Sequence, residues 1–246
     1  MNIIDEIFKN IKFNINPDED YRKKYLFRFL KRIYSLSGKE KLFLFNNLKI
    51  LNGKEDIYLK KVLLNIESMS TYAIGHIINQ ICKNLKKDEL YVNIGVWKGF
   101  TLISGIINTI CNVQGVDNFS EFGGPKDIFL NNFNKFKIAD KHKFYELDYK
   151  IFFKNFEKTN TSINFYFYDG EHSYKNQYDN LEISNNFYVK DTIVLVDDIN
   201  FEEVEQGTED FIRKNSSKFR LIKKTKTKNN NCHPTYWNGI MIFQKI

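Results

Sequence analysis

From about residue 90 onward, short apolar runs alternate with amphipathic stretches, and turn-forming residues fall between them. Residues 90–94, 113–116, 143–147, 163–168 and 192–196 read as strands. Helices are expected over 70–86, with Ser70 as N-cap, and over 100–110, near 128–136, and over 151–156, 174–187 and 204–215. Two closing strands follow, at 219–223 and 239–243. This rhythm predicts an α/β fold built on a doubly wound, mostly parallel sheet with helices on both faces. The stretch before residue 70 is different. Tyr25, Leu26, Phe29, Leu30 and Ile33 recur at helical spacing, as do Leu42, Leu44, Phe45, Leu48 and Leu51. Pro17 separates the first helix from the next and Gly53 ends a later one. We therefore expect an N-terminal helical subdomain over 1–69, acting as a lid or dimerisation unit, followed by a larger domain over 70–246.

Composition narrows the class. A chain of 246 residues with 42% hydrophobic and 16% aromatic content buries one substantial core, which excludes a disordered protein. The net charge of +7 suits anionic partners. Most of the excess is scattered lysine. One dense cluster, Lys218 to Lys228 with Arg220, Lys223, Lys224 and Lys226 inside it, is either a solvated face or a nucleic-acid surface. Cys82, Cys111 and Cys232 are odd in number and widely spaced, which argues against a disulfide framework or a structural zinc. No apolar run approaches a membrane span and no signal sequence opens the chain, so a cytoplasmic protein is expected.

The candidate chemistry lies at strand ends. The apolar run 163–168 leads into Asp169-Gly-Glu-His-Ser-Tyr174, and the run 192–196 leads into Asp197-Asp198. If the two strands are parallel neighbours, their acids meet at the carboxyl edge, where open α/β sheets bind ligands. Asp169 could also cap the following helix, and His172 could simply hydrogen-bond backbone. Adjacent acids are harder to explain as packing, because side chains alternate along a strand and one of the two would face the core. Earlier, Asn93-Ile-Gly95-Val-Trp-Lys-Gly99 ends one strand, and Asp117 ends the next roughly 20 residues further on, where an acid can bind a ribose diol. The glycine spacing is not that of a dinucleotide fingerprint and no Walker sequence is present, which favours a nucleoside cofactor without a pyrophosphate. The aromatic stretch from Cys232 to Gly239, with His233, precedes the last strand and reads as a surface loop, the alternative being a cover over an acceptor. His76 and His142 have no evident partners.

The run from Asn93 to Gly99 resembles the first motif of class I S-adenosylmethionine (SAM)-dependent methyltransferases. Asp169-Gly-Glu-His-Ser-Tyr174 with Val196-Asp-Asp198 is similar to a metal-dependent subgroup, the macrolide-sugar O-methyltransferases and cephalosporin hydroxylase-like proteins. The similarity spans about residues 90–243. It implies a Rossmann-like sheet with Asn93, Gly95, Gly99, Asp117, Asp148 and Asp169 at the cofactor. It also implies Asp169, Asp197 and Asp198 around a divalent cation, Mg²⁺ or Mn²⁺, with Glu171 or His172 as base. Two departures stand out: Asn93 occupies a position usually acidic, and Val189-Lys190-Asp191 replaces the usual Pro-Gly-Gly. The resemblance makes the expected function methylation of a hydroxyl on a sugar or nucleotide-linked sugar, in glycan or secondary-metabolite biosynthesis. The alternatives are a hydroxylase of the cephalosporin type, a nucleic-acid-binding protein using the basic cluster, and a non-catalytic binding module. The partner expected is a small molecule, with neither membrane nor nucleic acid, and self-association would run through the N-terminal helices.

Overall fold

The computed structural model describes residues 3–23, 29, 32, 40–51 and 55–246. The expected helix carrying Tyr25, Leu26, Leu30 and Ile33, and the stop at Gly53, lie outside these residues. Before residue 70 the described elements are helix α1 (Ile3–Lys9), strand β1 (Ile11–Phe13), helix α2 (Glu40–Phe45), strand β2 (Leu48–Ile50) and helix α3 (Ile57–Leu64). Leu48 was expected in a helix. It instead pairs with Phe13 in the small antiparallel β1–β2 ribbon. A three-residue strand is too short to show its period in sequence, so apolar spacing there mimicked a helix.

Helix α4 (Tyr72–Lys83) is capped by Thr71, not Ser70, through the Thr71 side chain accepting from the Ile74 amide. The alternating region then follows the expected order: β3 (Leu90–Ile94), α5 (Phe100–Ile106), β4 (Asn112–Val116), α6 (Lys126–Asn134), β5 (His142–Tyr145), α7 (Tyr149–Phe156), β6 (Ile163–Tyr168), α8 (Tyr174–Ser184), β7 (Tyr188–Asp197), α9 (Glu202–Lys214), β8 (Phe219–Thr225) and β9 (Ile240–Lys245). These strands form one seven-stranded sheet in the order β5-β4-β3-β6-β7-β9-β8. The pairs from β5 to β7 are parallel, while β9 runs antiparallel to both β7 and β8.

Two apolar layers cover the sheet. One holds Tyr91, Phe165, Phe167 and Ile242 together with Ile4, Phe45 and Leu63, so the N-terminal elements share the core of the sheet. The other holds Val92, Tyr166, Val194 and Phe243 under α7, α8 and α9. Each such buried side chain contributes about 1.5–3 kcal/mol, which keeps the strand ends in fixed register. Because β3 lies between β4 and β6, the chain reverses winding there. The carboxyl ends of these three strands open onto one crevice.

Candidate functional site

The strand ends are stitched by backbone hydrogen bonds. Gly95 N–H donates to Val116 O at 2.9 Å, and Asp169 N–H donates to Ile94 O at 3.0 Å. Gly95 sits at φ +80, with the Asp169 carbonyl where a Cβ would lie. The next turn is held from β4. Asp117 Oδ2 accepts from the Val96 and Trp97 amides at 2.8 and 2.9 Å, and Oδ1 accepts from Phe119 N–H at 2.7 Å. Trp97 adopts φ 42, a left-handed conformation costing about 1–3 kcal/mol for a bulky residue. The two amide bonds to Asp117 hold it there. A carboxylate has about four lone-pair sites, so Asp117 keeps acceptor capacity for hydroxyls.

Above this turn is a cavity of about 400 Å³, lined by Gly95, Asp117, Asp148, Asp169, Glu171, His172 and Asp198 among others. Asp148 caps α7, with Oδ1 accepting from Lys150 N–H at 2.8 Å, and also faces the cavity. Two residues expected at the cofactor lie beneath it. Asn93 is fully buried; its amide donates to Gly95 O at 2.9 Å and its carbonyl accepts from Thr101 at 2.8 Å. It braces the turn where an acid would reach the ligand. Gly99, at φ +98, starts α5 and leaves room for Ile103 and Phe129. Trp97 and Ser70 line the cavity instead, each with a buried polar atom, Nε1 and Oγ, that has no protein partner.

The second half of the cavity is built around β6 and β7. Ser173, not Asp169, caps α8, which leaves the Asp169 carboxylate to the cavity. After β7 the chain turns left-handed at Asp198, φ 62, and this answers the alternation problem. Asp197 stays inside, 4% exposed, with Oδ1 accepting from the Asp198 amide at 2.9 Å. Asp198 swings into the cavity. Its Oδ2 accepts from His172 Nε2–H at 2.9 Å while Oδ1 is buried with no partner. The His172 ring stacks on Phe201, centroids 4.9 Å apart. Glu171 is exposed and accepts from the Asn176 side chain.

Electrostatics mark this cluster. Burial, and then the charge of Asp198, push the Asp169 carboxyl up to about 8. Burial, and then the charge of Asp198, likewise push the Asp197 carboxyl well above the usual carboxylate range. Burial disfavours the His172 imidazolium, but the hydrogen bond and charge of Asp198, with Asp169 behind, outweigh it and raise His172 above the usual histidine value. Asp169, His172 and Asp198 can each offer one atom within 4.8 Å of the others. Two ionisable carboxylates, an imidazole and an orphaned carboxylate oxygen fit a divalent cation. His172 sits beside the two carboxylates, hydrogen-bonded to Asp198, while Asp197 lies below the cluster.

The fourth wall comes from the loop between β8 and β9. Its His233 is fully buried, bonded to Thr235 Oγ1 at 2.8 Å and to Glu19 O at 3.1 Å, so the loop is not a surface feature. Asn47 and Thr71 bind the carbonyls of Pro234 and Thr235. Asn231, Trp237 and Asn238 line the cavity beside Asp198. Of the two readings of this stretch, acceptor cover or surface loop, sequence favoured the second because only the long-range pins reveal which way the loop faces. The basic cluster is partly neutralised, with Lys224 2.6 Å from both Glu205 and Glu209 and Lys226 2.6 Å from Glu205.

No family model and no curated protein matches the sequence. Solved structures do match. An O-methyltransferase from Bacillus cereus, in complex with SAH, superposes with a TM-score of 0.60 at 13% identity, covering 80% of this chain and 94% of that one. The fold is that of a Rossmann-like methyltransferase. The O-methyltransferase TomG from Streptomyces achromogenes, in complex with SAM, aligns at a TM-score of 0.57 and 10% identity over 79% and 92% of the two chains. No helix among the described residues is long and apolar enough to cross a membrane.

Proposed function

We propose that the protein is a SAM-dependent O-methyltransferase, assisted by a divalent cation and acting on a hydroxyl of a sugar. The observation that carries this reading is the single cavity joining the Gly95–Asp117 turn to the Asp169, His172 and Asp198 cluster. When bound, SAM supplies a methyl on a sulfonium, whose C–S electron pair returns to sulfur as the new C–O bond forms. Asp117, with three of about four lone-pair sites taken by amides, keeps one for a ribose hydroxyl. Trp97 Nε1–H and Ser70 Oγ–H are buried donors without a protein partner that would hold the carboxylate of the methionine moiety. A Mg²⁺ or Mn²⁺ ion would be held by Asp169 and Asp198 and would act as a Lewis acid on a hydroxyl. Asp198 fixes the His172 tautomer by accepting from Nε2–H, which leaves Nδ1 to take the hydroxyl proton. Trp237 and Phe201 offer flat apolar faces and Asn231 and Asn238 offer amides, a mixture that suits a polyhydroxylated ring.

The test is transfer of labelled methyl from SAM to a sugar panel, with Mn²⁺ or with excess chelator. We expect transfer to need the cation and to be lost in Asp198→Asn while SAH binding is retained. Transfer that is unchanged both by chelation and by Asp198→Asn would remove the metal-assisted reading.

A further inference from the structure

The segment 65–71, between α3 and α4, is a strap with neither helix nor strand in it, and its Ser68, Met69 and Ser70 line the cavity. One end is fixed by Thr71, which caps α4 and donates its hydroxyl to Thr235 O. The other end is tied by one side chain from α2. Lys41 Nζ donates to Leu63 O at 2.8 Å and also to Ile66 O. The same ammonium lies 5.3 and 5.2 Å from the ring centres of Phe45 and Phe100, both buried, and Phe100 lines the cavity. Burial there pushes the Lys41 amine down to about 7, with nearby Glu67 opposing. A methionine would fill this aromatic niche without desolvating a charge, so packing alone does not call for a lysine. The middle of the strap is tied separately. Glu67 lies 2.7 Å from Lys98 Nζ, which sits 4.4 Å from the centre of the Trp97 ring. The independent sign of a ligand is a pair of buried donors without a protein partner, both on cavity-lining residues: Ser70 Oγ on the strap, and Nε1 of the indole that Lys98 covers.

We propose that Lys41 is a positioning residue for the amino-acid end of the cofactor: it fixes the strap so that Ser70 Oγ stands with Trp97 Nε1 to receive one carboxylate. This rests on the methyltransferase reading of the same cavity. Lys41 is not among the described residues lining the cavity, so it acts through the strap and not by touching the ligand. Two donors held in place bind a carboxylate without first ordering the segment that carries one of them, which is the gain from preorganisation. Without the Lys41 anchor at Ile66, four residues before Ser70, the hydroxyl must be ordered at each binding event. The loss therefore falls on ligands with a carboxylate and spares those without one.

The test is calorimetric titration of SAH and of 5′-methylthioadenosine, the same nucleoside thioether without the amino-acid end, into the full chain. Wild type, K41M, S70A and the double variant K41M/S70A are compared, and K41Q takes the place of K41M should that variant not fold. We expect wild type to bind SAH about tenfold or more tighter than 5′-methylthioadenosine. K41M and S70A should each lose about tenfold for SAH and nothing for 5′-methylthioadenosine. The double variant should lose no more than the larger single loss, because Lys41 works through Ser70. A merely structural Lys41 would weaken both ligands together. Unchanged SAH affinity in K41M, equal losses for the two ligands, or fully additive losses overturn the inference and leave the methyltransferase reading standing. S70A removes only a hydroxyl, so unchanged SAH affinity in that variant overturns the inference whatever the Lys41 variants do. Folded wild-type protein that binds neither ligand would instead sink the methyltransferase reading, and the inference with it.

Discussion

Gly95 and Asp169 touch so closely that no side chain fits between them: a Cβ on Gly95 would lie 1.8 Å from the Asp169 carbonyl oxygen. The contact joins the two motifs at the ends of β3 and β6, one facing the proposed cofactor and the other the acidic cluster. Gly95→Ala must push them apart and also adopt φ +80, which alone costs about 1–3 kcal/mol. We expect a lowered melting temperature together with loss of SAH binding. A variant of unchanged stability and affinity would show that the contact does not set the site.

His172 connects structure to pH. In the metal-free protein the hydrogen bond and charge of Asp198 hold its proton, so its imidazole, followed by NMR, should titrate above the ordinary histidine value near 6.5. In metal-free Asp198→Asn that titration should shift to lower pH, because the hydrogen bond and charge that hold the proton are gone. His172→Ala should cost about 10²–10⁴ in kcat while Mn²⁺ affinity, read by electron paramagnetic resonance, is kept. Loss of Mn²⁺ affinity would make His172 a ligand and return the base role to Glu171.

Stability should carry the same signature. Folded Asp169 keeps its proton up to about 8, whereas an unfolded carboxyl releases it near 3.9. Between those values the folded protein binds more protons, so stability falls as pH rises through the window. The raised His172 acts in the same direction, since its contribution is lost as pH rises through its folded pKa. Metal-free protein should therefore melt several degrees lower at pH 8 than at pH 5.5. Mn²⁺ should recover the loss at pH 8 and do little at pH 5.5, and Asp169→Asn should flatten the slope. A melting temperature that rises across the window contradicts the assignment.

Trp237 provides a separate check on the acceptor wall. Trp237→Ala should raise the acceptor KM about tenfold, through loss of apolar contact with a ring worth roughly 1–2 kcal/mol, and leave SAH affinity unchanged. A loss of SAH affinity with no change in KM would place the indole at the cofactor.

The sheet was legible because its strands are apolar runs closed by acids or glycines: the bounds expected for β3 and β6 match the structure, and Asp117 directly follows β4, as expected. Local signals failed where geometry decided. Nothing in Asp197-Asp198 says which carboxylate faces the site until the left-handed φ of Asp198 is seen. Asn93 looked like a ligand contact and proved a brace, because its amide satisfies the turn internally. The wall of Asn231, Trp237 and Asn238 depends on His233 reaching Glu19, a contact across the chain that no motif encodes. The net charge of +7 is not mirrored at the cavity, whose described lining residues include acids and no lysine or arginine.

The central claim is that this cavity holds the SAM skeleton, and calorimetric titration of SAH into the wild-type protein and Asp117→Ala tests it most directly. The account predicts one-to-one binding to wild type, weakened about ten- to a hundredfold in Asp117→Ala by loss of a charge-assisted contact worth roughly 1.5–3 kcal/mol. No binding to a folded wild-type protein, or equal affinity in the two, would contradict it.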